Sequence, residues 1–338
     1  METLLLDADA VEANATYPEV IDAVEAAFAA YALGDAIMPA KSYIDLPEYS
    51  GDFRSMPAYL DVRGTDVPGD WDAAGVKWVK AHPENPARHG LPSVMGTVIY
   101  SDPETAFPLS IMDGTSLTRL RTGAAAAVAT RHLAVEDARS LGIVGAGAQA
   151  YTQLSAIASV RPIEEVVIAD RKPEKQRAFV EVHEDRFDAR AGSIEEAAGC
   201  DVLCTVTPVE EPIVHRTAVG DHTHVNAMGA DAAGKHELDD QILLDAKLVI
   251  DDYEQCVHSG EVNVPWSAGV LGDDDLHGTI GEVVTGEVEG RTDADGITVF
   301  DSTGLAIQDV AAAHVAYEHA SERGEGVGFE LVDTDVTR

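Results

Sequence analysis

An apolar run, Ser140-Leu141-Gly142-Ile143-Val144, leads directly into Gly145-Ala146-Gly147-Ala148-Gln149-Ala150, and helix-forming residues continue to Val160. A buried strand that ends in two closely spaced glycines and then opens a helix leaves a chain few folds to choose from. Gly145 allows the tight turn, Gly147 lets backbone N–H groups approach a pyrophosphate, and Ala150 keeps helix and strand close. The helix N-terminus adds unpaired donors and partial positive charge, which favour a phosphate. Asp170 ends the next apolar run, 23 residues beyond Gly147. There its carboxylate accepts from adenosine ribose hydroxyls and repels a 2′-phosphate. Gly145, Gly147, Ala148, Gln149 and Asp170 are therefore expected to hold a dinucleotide, NAD in preference to NADP. Arg171 and Lys172 follow at once and keep NADP possible by offering cations to a 2′-phosphate.

From about residue 138 onward, strand-like runs alternate with helical ones. EEVVIAD (164–170), DVLCTVT, THVNAMG, AKLVIDD and ITVFDS read as strands, and the segments from Ala148 and from Lys172 read as helices. Such alternation implies a parallel sheet with helices on both faces. Residues 1–137 read differently. A helix is expected over 17–33, capped by Gly34, and an Ala-rich one over about 116–134. Between them lie β-like runs, among them AGVKWVKA and SVMGTVIYS, separated by turns such as HPENPARHGLP. The last helix is expected over 305–323, followed by an acidic tail read as loosely held. The fold class is thus α/β, with a doubly wound Rossmann sheet inserted in a second, α+β domain. The expected boundaries are 126–304 for the Rossmann domain and 1–125 plus 305–338 for the other.

The chain has 338 residues, enough for two cores, and no apolar run of the ~18–20 residues that a membrane span needs. Its start lacks the basic and apolar regions of a signal peptide. Three cysteines without a C-x-x-C pair give no disulfide framework, so a cytoplasmic location is expected. Sixty acidic against 23 basic residues give a net charge of −37, which argues against nucleic acid and anionic membranes as partners. Seven of the basic residues are lysine and sixteen arginine; an acidic, lysine-poor surface resembles proteins of salt-loving cytoplasms. Four of those few lysines, Lys41, Lys77, Lys80 and Lys235, fall in segments with chemical interest.

Redox chemistry on an amino or imino acid needs a cation for the carboxylate, a base for the ammonium proton, and a group to orient water. FRSMPAYL, GVKWVKAHPENPARHGLPSVMGTVIYSD and PLSIMDGTSLTRLRTGAAAAVATRHLA carry such groups. With LGIVGAGAQA, DVLCTVTP, VNAMGADAAGKHELD and FDSTGLAIQDVA, in that order, they resemble the ornithine cyclodeaminase/mu-crystallin family, which includes archaeal-type alanine dehydrogenases.

The resemblance implies a homodimer of two-domain subunits, a substrate/dimerisation domain and an NAD-binding one. It places catalytic roles on Lys77 and Asp231, and Arg121 where it reaches substrate and cofactor. Ser93 falls at a small hydroxyl position of the substrate site, and Thr205, Thr207, Lys235 and Ser302 line the nicotinamide side. Cyclodeaminases carry a glutamate just before the Met-Pro pair; here Arg54 stands there, which suits a carboxylate and repels a diamine. Many members place an arginine at the position of Lys41, so carboxylate anchoring passes in part to Arg54. The expectation is NAD-dependent oxidation of a small L-amino acid, alanine first. Cyclodeamination of ornithine, ketimine reduction and a non-catalytic NAD(P)-binding role remain open.

Other features carry less. His222 and His224 share one face of a strand-like run without a third metal ligand, so no metal is expected. His82 reads as a turn residue, Cys200 and Cys204 as small buried apolar residues, and Asp273–Asp275 as a solvated loop.

Overall fold

The computed structural model describes residues 2–49, 51–63, 69–82 and 84–333. Contacts divide the chain into Met1–Arg121 with Leu305–Arg338, and Thr122–Gly304. The first boundary falls inside the continuous helix Gly114–Leu133, four residues before the expected one.

The first unit is built on an eight-stranded sheet. Its order is Val327–Phe329, Thr3–Leu6, Pro108–Asp113, Val94–Ser101, Asp72–Ala81, Gly51–Asp61 and Ala36–Ile37, with Ser42–Leu46 also paired to Gly51–Asp61. Among the described residues, only the pairing of Thr3–Leu6 with Pro108–Asp113 is parallel in this sheet. Strict alternation puts Met56, Lys77, Val98 and Met112 on one face in register, and that face is buried. The helices Tyr17–Leu33 and Ala306–Arg323 pack together, and the second also lies on the central strands. Ala311, Ala312, Ala313 and Ala316 are fully buried on that helix. Such small side chains let its backbone come close to its neighbours.

The tail departs from expectation. Val327–Phe329 forms a strand antiparallel to Thr3–Leu6, and Asn14 Nδ2 donates to Glu325 Oε2 at 2.7 Å. Gly324, with φ of 65°, ends the last helix and turns the chain back toward that edge. Residues 334–338 lie outside the described residues.

The second unit holds eight strands, all parallel. Numbered by their order in the chain, they run third, second, first, fourth, fifth, eighth, sixth, seventh across the sheet. The first, Ser140–Val144, sits between Glu165–Ala169 and Val202–Thr205, as a doubly wound sheet requires. Both faces are covered: Leu141, Ile143, Val166, Ile168, Val202 and Cys204 belong to one core, while Val144, Val167, Ala169 and Leu203 belong to another. Burial on two faces explains the continuous apolar runs of these strands.

Candidate functional site

In the first unit, Lys77 projects from the middle of Asp72–Ala81 and is 2% exposed. Its Nζ lies 2.8 Å from Oδ1 and 2.7 Å from Oδ2 of Asp309, and donates to Thr118 Oγ1 at 3.4 Å. Asp309, 1% exposed, also accepts from Arg121 Nε at 3.1 Å. Arg121 Nη1 donates to Gln308 Oε1 at 2.8 Å. Strand, Ala-rich helix and C-terminal helix thus bring two cations onto one buried carboxylate. Burial pushes the Lys77 amine down to about 7; the Asp309 charge opposes this, and the Arg121 and Lys41 charges add to it. An amine with such a pKa exists in both protonation states near neutrality, which suits proton transfer. Asp309 and Gln308 carry little signal in the sequence. Their signal was two polar residues inside the buried stretch Leu305–Ala313.

The remaining expected substrate residues are placed less uniformly. Arg54 shares the sheet face of Lys77, since Arg54 and Met56 are two apart and Met56 pairs with Lys77. Its guanidinium is already engaged by Asp52, with Nε donating to Oδ2 at 2.9 Å, and lies 5.5 Å from the centre of the Tyr43 ring. Lys41 is close enough for its charge to act on Lys77. Ser93 is exposed, before Val94–Ser101, and its carbonyl accepts from His82 N at 2.7 Å. Val98 is the residue opposite Lys77, which puts Ser93 about 17 Å further along the strand. His82 lies past the end of the Lys77 strand and packs its ring against Phe53, whose register puts it on the sheet face opposite Lys77.

In the second unit, Gly145 has φ of 106°, where a Cβ would also meet Thr207 Cγ2 at 2.9 Å. Gly147 is the N-cap of Ala148–Ile157, and no side chain caps that helix. A Cβ built on Gly147 meets no protein atom within 4 Å. Packing within the protein therefore does not demand glycine there, whereas close approach of a ligand to the backbone does. Asp170 Oδ2 accepts from Ala146 N and Oδ1 from Lys172 N, both at 2.8 Å. These bonds hold the carboxylate beside the turn, with lone pairs remaining for ribose hydroxyls. Arg171 is exposed next to it, and the Gln149 amide oxygen accepts from Thr152 Oγ1 at 3.1 Å. The turn fits a dinucleotide pyrophosphate on these grounds.

The loops after the neighbouring strands are held by buried acids. Thr207 donates from N at 2.8 Å and from Oγ1 at 2.6 Å to Glu237 Oε1, and Gly229 N donates to Oε2 at 3.1 Å. Thr205 is fully buried at its strand end. Ser302 Oγ donates to Asp251 Oδ2 at 2.8 Å, so its proton points into the unit. Asp231 is paired with Lys235, and its side chain is 43% exposed. Glu237 stands in the segment GKHELD with no local mark of its role, because its burial is set by strands distant in sequence.

His224 is fully buried, bonded to Thr298 Oγ1 and Asn226 Oδ1, and burial pushes it down to about 3. It is a core residue, and His222 lies outside its strand. The three cysteines are free and buried. Asp273–Asp275 forms a single 3-10 turn closed by Asp275.

A parallel doubly wound unit with a glycine turn, joined to a unit that buries a lysine, an arginine and an aspartate together, defines a class of two-unit oxidoreductases. Within it, the profile of the ornithine cyclodeaminase/mu-crystallin family matches residues 1–324, and the chain belongs to that family. The chain is 48% identical over 327 residues to the alanine dehydrogenase of Archaeoglobus fulgidus, covering 96% of this chain and 98% of that one. It is 35% identical over 266 residues to a Delta(1)-pyrroline-2-carboxylate reductase of Bacillus cereus, covering 77% and 81% of the two. A solved structure described as an archaeal alanine dehydrogenase dimer with bound NAD matches with a TM-score of 0.91 at 46% identity, covering 98% of this chain and 100% of that one.

Proposed function

We propose that this chain is an NAD-dependent dehydrogenase of a small L-amino acid, with alanine the substrate to test first. The observation that carries this is Lys77, a buried amine pushed down to about 7 and held by Asp309. In its neutral form it takes the proton from a substrate ammonium, so that the α-carbon can lose a hydride. NAD, when bound, supplies the hydride acceptor. The imino acid so formed takes up water and releases ammonia, leaving the 2-oxo acid; the reverse sequence is reductive amination. Arg121, with Arg54 and Lys41, supplies cationic anchoring for the carboxylate. Asp231 is assigned the second acid–base role that the resemblance implies, with Lys235 as its ion-pair partner. Gly145, Gly147, Ala148 and Gln149 would receive the pyrophosphate, Asp170 the adenosine ribose, and Thr207 and Ser302 the nicotinamide side. The hold of two backbone amides on Asp170 supports NAD over NADP, which Arg171 would otherwise favour.

A homodimer is part of this reading. The sheet face opposite Lys77 exposes Leu5, Ile44, Trp78 and Ile99, an apolar surface of the kind a second copy covers. A cytoplasmic, salt-rich setting accords with three free cysteines and a charge of −37; among the described residues no helix is long and apolar enough to cross a membrane.

The test is incubation with NAD and single amino acids at high salt, followed by nicotinamide absorbance. NADH and pyruvate from L-alanine support the proposal. Proline and ammonia from ornithine without net NADH, or activity on cyclic imines alone, would move the chain to another branch of its family.

A further inference from the structure

Four buried carboxylates form a nested series at the C-terminal ends of the parallel strands. Asp251 Oδ2 accepts from Ser302 Oγ, Thr303 N and Gly304 N at 2.8–3.0 Å. Asp301, just before them, accepts from Glu261 N at 2.9 Å and Val262 N at 3.1 Å. Glu261 Oε1 accepts from Glu237 N at 2.8 Å and Leu238 N at 2.6 Å. Glu237 then ends the series on Thr207 and Gly229. Each acid fixes the backbone that carries the next. A buried carboxylate is costly to desolvate, so four in one place need a local reason.

The series ends beside the glycine turn. Thr207 Cγ2 and Val206 O fill the space a Gly145 side chain would need, at 2.9 and 3.0 Å from its Cβ position. Ligands of open parallel sheets bind at this edge. We propose that Glu237 is a positioning residue for the dinucleotide: its carboxylate fixes Thr207 and Gly229, and through Thr207 the Gly145 turn, in the shape that receives the ligand. This rests on the NAD reading above.

Both oxygens of Glu237 act as acceptors, and protonation turns one into a donor facing an N–H or O–H. Burial pushes Glu237 up to about 7 against those bonds. The Glu261 carboxyl is pushed up by burial and by the Glu237 charge, and the Cys204 thiol by burial and by the same charge; beyond Glu261 lie Asp301, also pushed up by burial, and His236, whose Nε2 is 3.6 Å from Glu261. Negative charge on Glu261 and Cys204 disfavours that on Glu237, and burial pushes His236 toward its neutral form. Dinucleotide affinity therefore falls as pH drops through about 7.

Titration of the full chain with NADH, read by fluorescence at high salt from pH 8.5 to 6.0, tests this. The native chain should bind several-fold more weakly at pH 6.0. Glu237→Gln should bind about tenfold more weakly at pH 8.5 and lose the pH dependence. Circular dichroism checks the fold; if the variant misfolds, the native pH profile decides, and a flat profile overturns the proposal. Wild-type affinity in Glu237→Gln, or an unchanged pH profile in it, also overturns it and leaves the NAD reading standing. No NADH binding by the native chain contradicts both.

Discussion

Lys77 owes its chemistry to where it is buried and to what shares the space. Removing its amine deletes the proposed base, so Lys77→Ala should lower turnover by about 10³-fold or more while NADH affinity stays within about twofold. Turnover by the native chain should rise with pH through about 7, because only the neutral amine accepts a proton. Asp309 stabilises the ammonium, so Asp309→Asn should move that rise to lower pH as well as reduce the rate. A pH–rate profile of kcat/KM for both proteins checks the sign. Lys77 was legible in the sequence only through the family motifs, since a lysine in a β-like run is ordinarily exposed. Asp309 was hidden among 60 acidic residues, and only its position within a buried alanine-rich helix marks it.

At the level of elements, the strand–turn–helix from Ser140 to Ile157 lies where the periodicity puts it, and the glycines within it differ in what they require. Gly147 has ordinary negative φ and empty surroundings for a Cβ. Gly147→Val should therefore fold with a melting temperature within a few degrees of the native chain, yet bind NADH at least about tenfold more weakly. Equal loss of both would assign the glycine to folding instead. The parallel strands were legible because both faces are buried and the runs are continuously apolar. The strand Val327–Phe329 was not, since three residues carry no period and their partner, Thr3–Leu6, lies at the other end of the chain. The nested carboxylates were equally hidden: their partners are backbone amides brought together by the sheet.

For the whole molecule, a net charge of −37 opposes compactness unless ions screen it. Raising KCl from 0.1 to 2 M shortens the screening length from about 10 Å to below about 3 Å, and should raise the melting temperature by ten degrees or more. A pH effect should persist at high salt. Glu237 and Asp301 are both pushed up to about 7, so the folded state binds more protons than the unfolded one between about pH 4 and 7. Their contribution to stability is present below that window and lost as pH rises through about 7. Burial pushes the Lys77 amine and the His224 ring down, which acts with the opposite sign, so the acids are read by difference. In calorimetry at 2 M KCl, the change in melting temperature from pH 6 to pH 8 should be more favourable in Asp301→Asn than in the native chain. An equal change in both would mean that Asp301 is charged without cost. Composition made the charge legible, but not which carboxylates lie inside.

The proposed reaction turns on Lys77 as the base of an amino-acid dehydrogenase. Its most direct test is the initial rate of NADH formation from NAD and L-alanine at 2 M KCl, compared between the native chain and Lys77→Ala. NADH and pyruvate should form in equal amounts with the native chain, and almost none with the variant. Equal rates from the two proteins, or no NADH from any small L-amino acid despite tight NADH binding, would contradict it.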